Sequence, residues 1–240
     1  VEPGGTSQPD DGLEYEGSAD KLPIVFLPGA TGSKLINDPN EDGKFDEIWP
    51  NVTELIFDPD DDSLRVLKLK ESGDEPAEEE ASYNTVKVGD VIRSENFFVL
   101  FKMNVYKPTI EYFTSRGGYI EGKDFFVCPY DWRKDISQIA TGDKLDLTLE
   151  KCINKALERN PETEQVNILA HSMGGLVARQ YVSDSERAKQ VKHLVTLGTP
   201  YLGAPKSTLA IIDGVCLVEP EIIKVGDNSI KACISDPKTT

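Results

Sequence analysis

Apolar residues in this chain come in short runs closed by chain breakers. Ile24-Val25-Phe26-Leu27 lies between Pro23 and Pro28-Gly29, which predicts a short strand buried on both faces. Phe125 to Cys128 reads as another short buried strand, Val166 to Ala170 as a buried strand, and His193 to Leu197 as a further strand. Leu64 to Lys70 alternates between apolar and polar positions and predicts a half-buried strand. Helical spacing is clearest over 143–159, where Leu145, Leu149, Cys152, Ile153 and Ala156 share a face, Asp143 is placed to cap and Pro161 follows the end. Residues 104–116, stopped by Gly117-Gly118, and 175–183 are further helices. Strands alternating with helices predict an α/β fold with a mostly parallel sheet flanked by helices.

Composition narrows the partners. The chain has 240 residues, with 42 acidic and 26 basic side chains and a formal net charge of -16. That balance repels a phosphate backbone, so no nucleic-acid partner is expected. The apolar runs are too short to span a bilayer. No signal peptide is read at Val1. Residues 1–20 read as a flexible acidic leader. Of the four cysteines, Cys128 reads as a small buried hydrophobe, whereas Cys216 and Cys233 could pair in an oxidising compartment. Asn51-Val52-Thr53 is a glycosylation sequon.

The chemistry centres on residues 166–178, where an apolar strand runs through Ala170-His171-Ser172-Met173-Gly174-Gly175 into a helix. A serine between small residues on a strand-to-helix turn is a nucleophile elbow, with Ala170 standing where glycine is usual. Ser172 is therefore the candidate nucleophile. Acyl transfer also needs two backbone N–H donors for the oxyanion. Met173 supplies one, and the loop Pro28-Gly29-Ala30-Thr31-Gly32-Ser33 supplies the other through Ala30.

Three more segments, Cys128-Pro-Tyr-Asp-Trp-Arg133, Thr196-Leu-Gly-Thr-Pro200 and Tyr201-Leu-Gly-Ala-Pro205, complete a pattern. Together with the loop and the elbow, the chain resembles the lecithin:cholesterol acyltransferase family of α/β-hydrolases over about residues 22–210. The resemblance implies an α/β-hydrolase domain over 21–240, with a cap or lid insertion over about 36–82 after the first core strand. It implies a serine esterase, lipase or O-acyltransferase acting on lipid acyl esters, at a membrane or lipid-droplet surface. An extracellular or secreted location is expected. Asp131, Trp132 and Arg133 are expected to fix a loop by packing and an ion pair. The lid candidates are Ile48, Trp49, Leu55 and Ile56, which with Val52 would share one helical face and either dock on lipid or pack on the core.

Two histidines occur, His171 and His193, and neither is placed to serve Ser172. In this fold the acid and then the histidine follow later strands, so the chain reads as the amino-terminal part of a longer enzyme. The alternative is a hydrolase-like domain without a base, acting as a binding or scaffold module. No cofactor is needed for catalysis. Asp38, Asn40, Asp42, the Lys44 carbonyl and Asp46 have the spacing of a calcium loop, though Trp49 stands where a bidentate glutamate belongs. The segment is either a structural calcium site or a solvated acidic loop.

Overall fold

The computed structural model describes residues 21–37, 46–51, 67–70, 86–97 and 101–205, together with the backbone of four two-residue strands, β10 to β13, at Val215–Cys216, Lys224–Val225, Asn228–Ser229 and Cys233–Ile234. Its centre is a four-stranded parallel sheet of β1 (Ile24–Leu27), β7 (Phe125–Val127), β8 (Val166–His171) and β9 (Val191–Leu197), in the order β7-β1-β8-β9. Every residue of β1 is buried, because successive side chains feed opposite faces. Val25 and Leu27 join one core with Ile168, Ala170 and the helices α2 (Ile136–Thr141), α3 (Leu149–Arg159) and α4 (Met173–Val182). Ile24 and Phe26 join the other, with Phe125, Leu169, Tyr106 and Ile110. A sheet covered on both faces by chain of this kind is the predicted α/β arrangement.

Several boundaries differ from the pattern-based expectation. Over 143–159 the helix begins only at Leu149, and its cap is Thr148, whose Oγ1 accepts the Lys151 N–H at 3.3 Å. Asp143 and Leu145 lie in the preceding turn. Over 104–116 the helix α1 is Lys107–Glu111, with Pro108 in its first turn, and it continues as a π-helical turn, Tyr112–Arg116. The helix α4 starts at Met173, immediately after Ser172, and a short α5 (Ser185–Ala188) follows. Of the segment 64–70, only 67–70 is described, and it contributes a single-residue bridge at Leu69.

A second sheet was not foreseen. β2 (Ser33–Asn37) lies between β3 (Asp46–Trp49) and β4 (Lys87–Val91), all antiparallel, and β5 (Ser94–Phe97) pairs with β6 (Phe101–Asn104). Ile48 and Trp49 therefore occupy a strand, not the amphipathic helix read from 48–57. Both are buried, with Leu35 opposite Trp49. Leu55 and Ile56 lie outside the described residues, as do Val52 and most of the segment read as a cap.

Cys128 is not free. It is joined to Cys152 across 24 residues, with Cα atoms 6.0 Å apart. The physical reason is placement: Cys128 leaves the end of β7, and Cys152 lies on the face of α3 turned to the sheet. The backbones of Cys216 and Cys233 stand opposite each other in β10 and β13. Among the described residues, no helix is long and apolar enough to cross a membrane.

Candidate active site

Ser172 sits where β8 turns into α4, at the carboxyl end of the parallel sheet. Its backbone is at φ 50° and ψ -123°, a conformation that a side chain strains to adopt. The strain is held from both sides. Ser172 N–H donates to the Leu197 carbonyl of β9 at 2.8 Å, and Gly175 N–H donates to the Ser172 carbonyl at 3.0 Å. The hydroxyl does not cap the helix, and the residue is half-buried. Gly174 permits the turn to close, since a Cβ there would overlap the Pro28 carbonyl and crowd Leu27 Cβ at 3.0 Å.

The loop after β1 is clamped by four aromatic side chains. Tyr130 Oη donates to the Pro28 carbonyl at 2.8 Å, Trp49 Nε1 to the Thr31 carbonyl at 2.8 Å and Trp132 Nε1 to the Ser33 carbonyl at 3.2 Å. Tyr106 Oη accepts the Gly29 N–H at 2.7 Å. Ser33 Oγ accepts the Tyr130 N–H at 3.0 Å, and Gly32 N–H closes a turn onto the Gly29 carbonyl at 3.1 Å. That turn puts Thr31 at φ 58°, a left-handed value. Among the described residues, no protein acceptor takes the N–H of Ala30 or of Met173. The loop is thus fixed through its other groups. It also touches the serine turn: a Cβ on Gly29 would lie 2.9 Å from Ser172 Cβ and 3.0 Å from His171 Nδ1.

This pairing of a strained serine turn with a braced loop is matched by kinship. The family model for lecithin:cholesterol acyltransferase covers residues 46–229, more than half of the chain. The chain belongs to the lecithin:cholesterol acyltransferase family. It is 25% identical over 212 residues to a lecithin-cholesterol acyltransferase-like 4 protein of Arabidopsis thaliana, covering 82% of this chain and 37% of that protein. It is 26% identical over 211 residues to a lysosomal phospholipase A and acyltransferase of Bos taurus, covering 80% of this chain and 50% of that protein. The chain therefore spans half or less of these two relatives.

In this family member both histidines are engaged elsewhere. His171 Nδ1 lies 2.9 Å from Tyr106 Oη, and His193 Nδ1 lies 2.9 Å from Asn167 Oδ1, near the start of β8 and β9 rather than at their carboxyl ends. Asp131 and Arg133 form a bidentate ion pair, Nε to Oδ1 at 2.8 Å and Nη2 to Oδ2 at 2.7 Å. Both side chains are largely buried, and with Trp132 on Ser33 they tie the end of β7 to the loop of β1.

Of the calcium-loop residues, Asp38, Asn40, Asp42 and Lys44 lie outside the described residues. Asp46 opens β3 opposite Asn37. No cluster of three or more metal-ligating side chains occurs among the described residues. Sequence reasoning missed Tyr106 altogether, since it sits in a bend between β6 and α1 with no motif around it. The motif that contains Tyr130 signals no role for it, although an aromatic hydroxyl next to a turn loop is the kind of group that satisfies a buried carbonyl. The sequence makes Trp49 a lid candidate. It is a donor to the loop.

Proposed function

We propose that this chain carries the nucleophile and oxyanion hole of a serine-dependent lipid acyl hydrolase or acyltransferase. The observation that carries the reading is the φ of 50° at Ser172, directly after a central parallel strand and against the braced loop of β1. Non-glycine residues persist in such a conformation only where the surroundings enforce it, and such strain gathers at active sites. Family membership supports the substrate class, because the relatives' names include a phospholipase A and acyltransferase.

In the proposed reaction Ser172 Oγ bonds to the acyl carbon and its proton passes to a base. The N–H groups of Ala30 and Met173 hold the oxyanion. The tetrahedral intermediate then expels the alcohol portion of the ester, which takes the proton, and an acyl-serine remains. Water or a second alcohol accepts the acyl group in the reverse sequence. The two histidines among the 240 residues hydrogen-bond through Nδ1 to Tyr106 and Asn167, so we infer that the base lies in sequence outside this span. A lipid surface is the natural partner and a secreted or lumenal compartment the natural setting.

The test is labelling of the full-length protein by a fluorophosphonate probe, with Ser172→Ala as the control. Wild type is expected to label, and the variant is expected to lose label and at least about a thousandfold in esterase rate. A folded full-length protein that fails to label would favour the scaffold alternative and end the enzyme reading.

A further inference from the structure

Acyl transfer requires the loop donor and the nucleophile to keep one geometry, although they come from different strands. One side chain bonds the residue next to each. Tyr106 is buried edge-on against Phe26, with ring centroids 5.2 Å apart. Its hydroxyl accepts the N–H of Gly29, the residue before Ala30, and meets Nδ1 of His171, the residue before Ser172. A phenol carries one hydrogen. Because an amide N–H can only donate, the oxygen accepts from Gly29, and its own hydrogen is available to Nδ1. The two segments also pass close together, since a Cβ added to Gly29 would come within 2.9 Å of Ser172 Cβ. Burial raises the Tyr106 pKa, with the Gly29 N–H pulling the other way, so the group remains a hydroxyl near neutral pH.

We propose that Tyr106 is a positioning residue that locks the oxyanion loop to the serine turn through the chain Gly29 N–H, Tyr106 Oη–H, His171 Nδ1. The role rests on the reading of Ser172 as nucleophile. Tyr106 touches no reacting atom. It acts by fixing the residue next to each of the two groups that do.

Tyr106→Phe keeps the ring packing and removes only the hydroxyl. Two arms test it in the full-length protein. In the first, which needs no activity, amide exchange of Gly29 is expected to rise by about two- to tenfold, and long-range proton–nitrogen spectra to show that His171 no longer holds one tautomer. In the second, hydrolysis of p-nitrophenyl butyrate is expected to lose about tenfold in kcat with KM within about twofold, as for a misplaced donor. His171→Asn, whose Oδ1 can replace Nδ1 as acceptor, is expected to keep most of the rate. His171→Leu is expected to fall to the level of Tyr106→Phe, with the double variant no lower than either. An active wild type whose Tyr106→Phe variant matches it in exchange and kcat overturns the proposal, and so does His171→Asn behaving like His171→Leu. A wild type that neither labels at Ser172 nor turns over ester overturns the enzyme reading and the positioning role together, while the Gly29 and His171 signals still report whether the hydrogen-bonded link exists.

Discussion

Strands β8 and β9 lie side by side in parallel, yet they live in different surroundings. In β8, Val166, Ile168, Leu169 and Ala170 are buried. In β9, at the edge of the described sheet, Val195 is 50% exposed and Leu197 is 46% exposed. Both sequences are rich in the same aliphatic residues, so the pattern alone reports that a strand is built to be covered, not that it is. Burial is supplied by neighbours, and β8 has them on both faces through α3, α4 and the layer that holds Tyr106. The serine sits at the tip of the covered strand, and its N–H is held by the Leu197 carbonyl of the exposed one.

The sharpest way to break this contrast is truncation on each side. Ile168→Ala is expected to cost about 2–5 kcal/mol, because a fully buried side chain is removed and its cavity cannot refill. Leu197→Ala is expected to cost less than about 1 kcal/mol, since half of that surface already meets water. Urea titration of the two variants checks the ratio. Equal losses would show that β9 is covered in solution.

The disulfide reinforces the covered side. Cys128–Cys152 closes a 24-residue loop that includes α2 and joins β7 to α3. Chain-entropy reasoning gives up to about 3.5 kcal/mol for a loop of that size. Cys128→Ala/Cys152→Ala is therefore expected to lower the melting temperature clearly, and reductant is expected to do the same to the wild type and not to the variant.

Where the sequence was legible, several residues spoke for the same element. Ile24 to Leu27, the elbow around Ser172 and the sheet-facing positions of α3 each combine burial, spacing and breakers. Legibility ended where long-range contact decided the outcome. Trp49 has an apolar neighbourhood at helical spacing, but β2 recruits it into a strand, with Leu35 opposite, and its indole N–H goes to Thr31. Cys128 looked like packing until Cys152 arrived from 24 positions away. Tyr106 carried no local signal, since its partners are 77 and 65 residues distant.

Tyrosines in the covered region give a smaller and pH-dependent comparison. Tyr130→Phe removes the donor to the buried Pro28 carbonyl and is expected to cost about 1–3 kcal/mol. Burial pushes the Tyr130 hydroxyl far above the usual phenol range, and burial, then the nearby Glu150 carboxylate, pushes Tyr181 up to about 12. The folded state keeps protons that the unfolded chain releases above about pH 10. Stability from these groups is therefore full below about pH 10 and declines as pH climbs through 12, the folded value of Tyr181. Tyr181→Phe should flatten that decline in a chemical-denaturation series across alkaline pH.

The smallest expected effect probes the strained turn itself. Ser172 holds φ 50° with a Cβ present, and glycine reaches that region at no steric cost. Ser172→Ala keeps the Cβ and so keeps the strain, whereas Ser172→Gly relieves it. Relief is worth about 1–3 kcal/mol, and the greater freedom of glycine in the unfolded chain takes back about 0.4–1 kcal/mol. The glycine variant is thus expected to be more stable than the alanine variant by about 1 kcal/mol, while both lose the hydroxyl equally. Comparing the two by urea midpoint isolates backbone strain from chemistry, because neither can form an acyl-enzyme. If the alanine variant proved the more stable, the turn would be relaxed in solution, and the covered strand β8 would not be holding its tip under load.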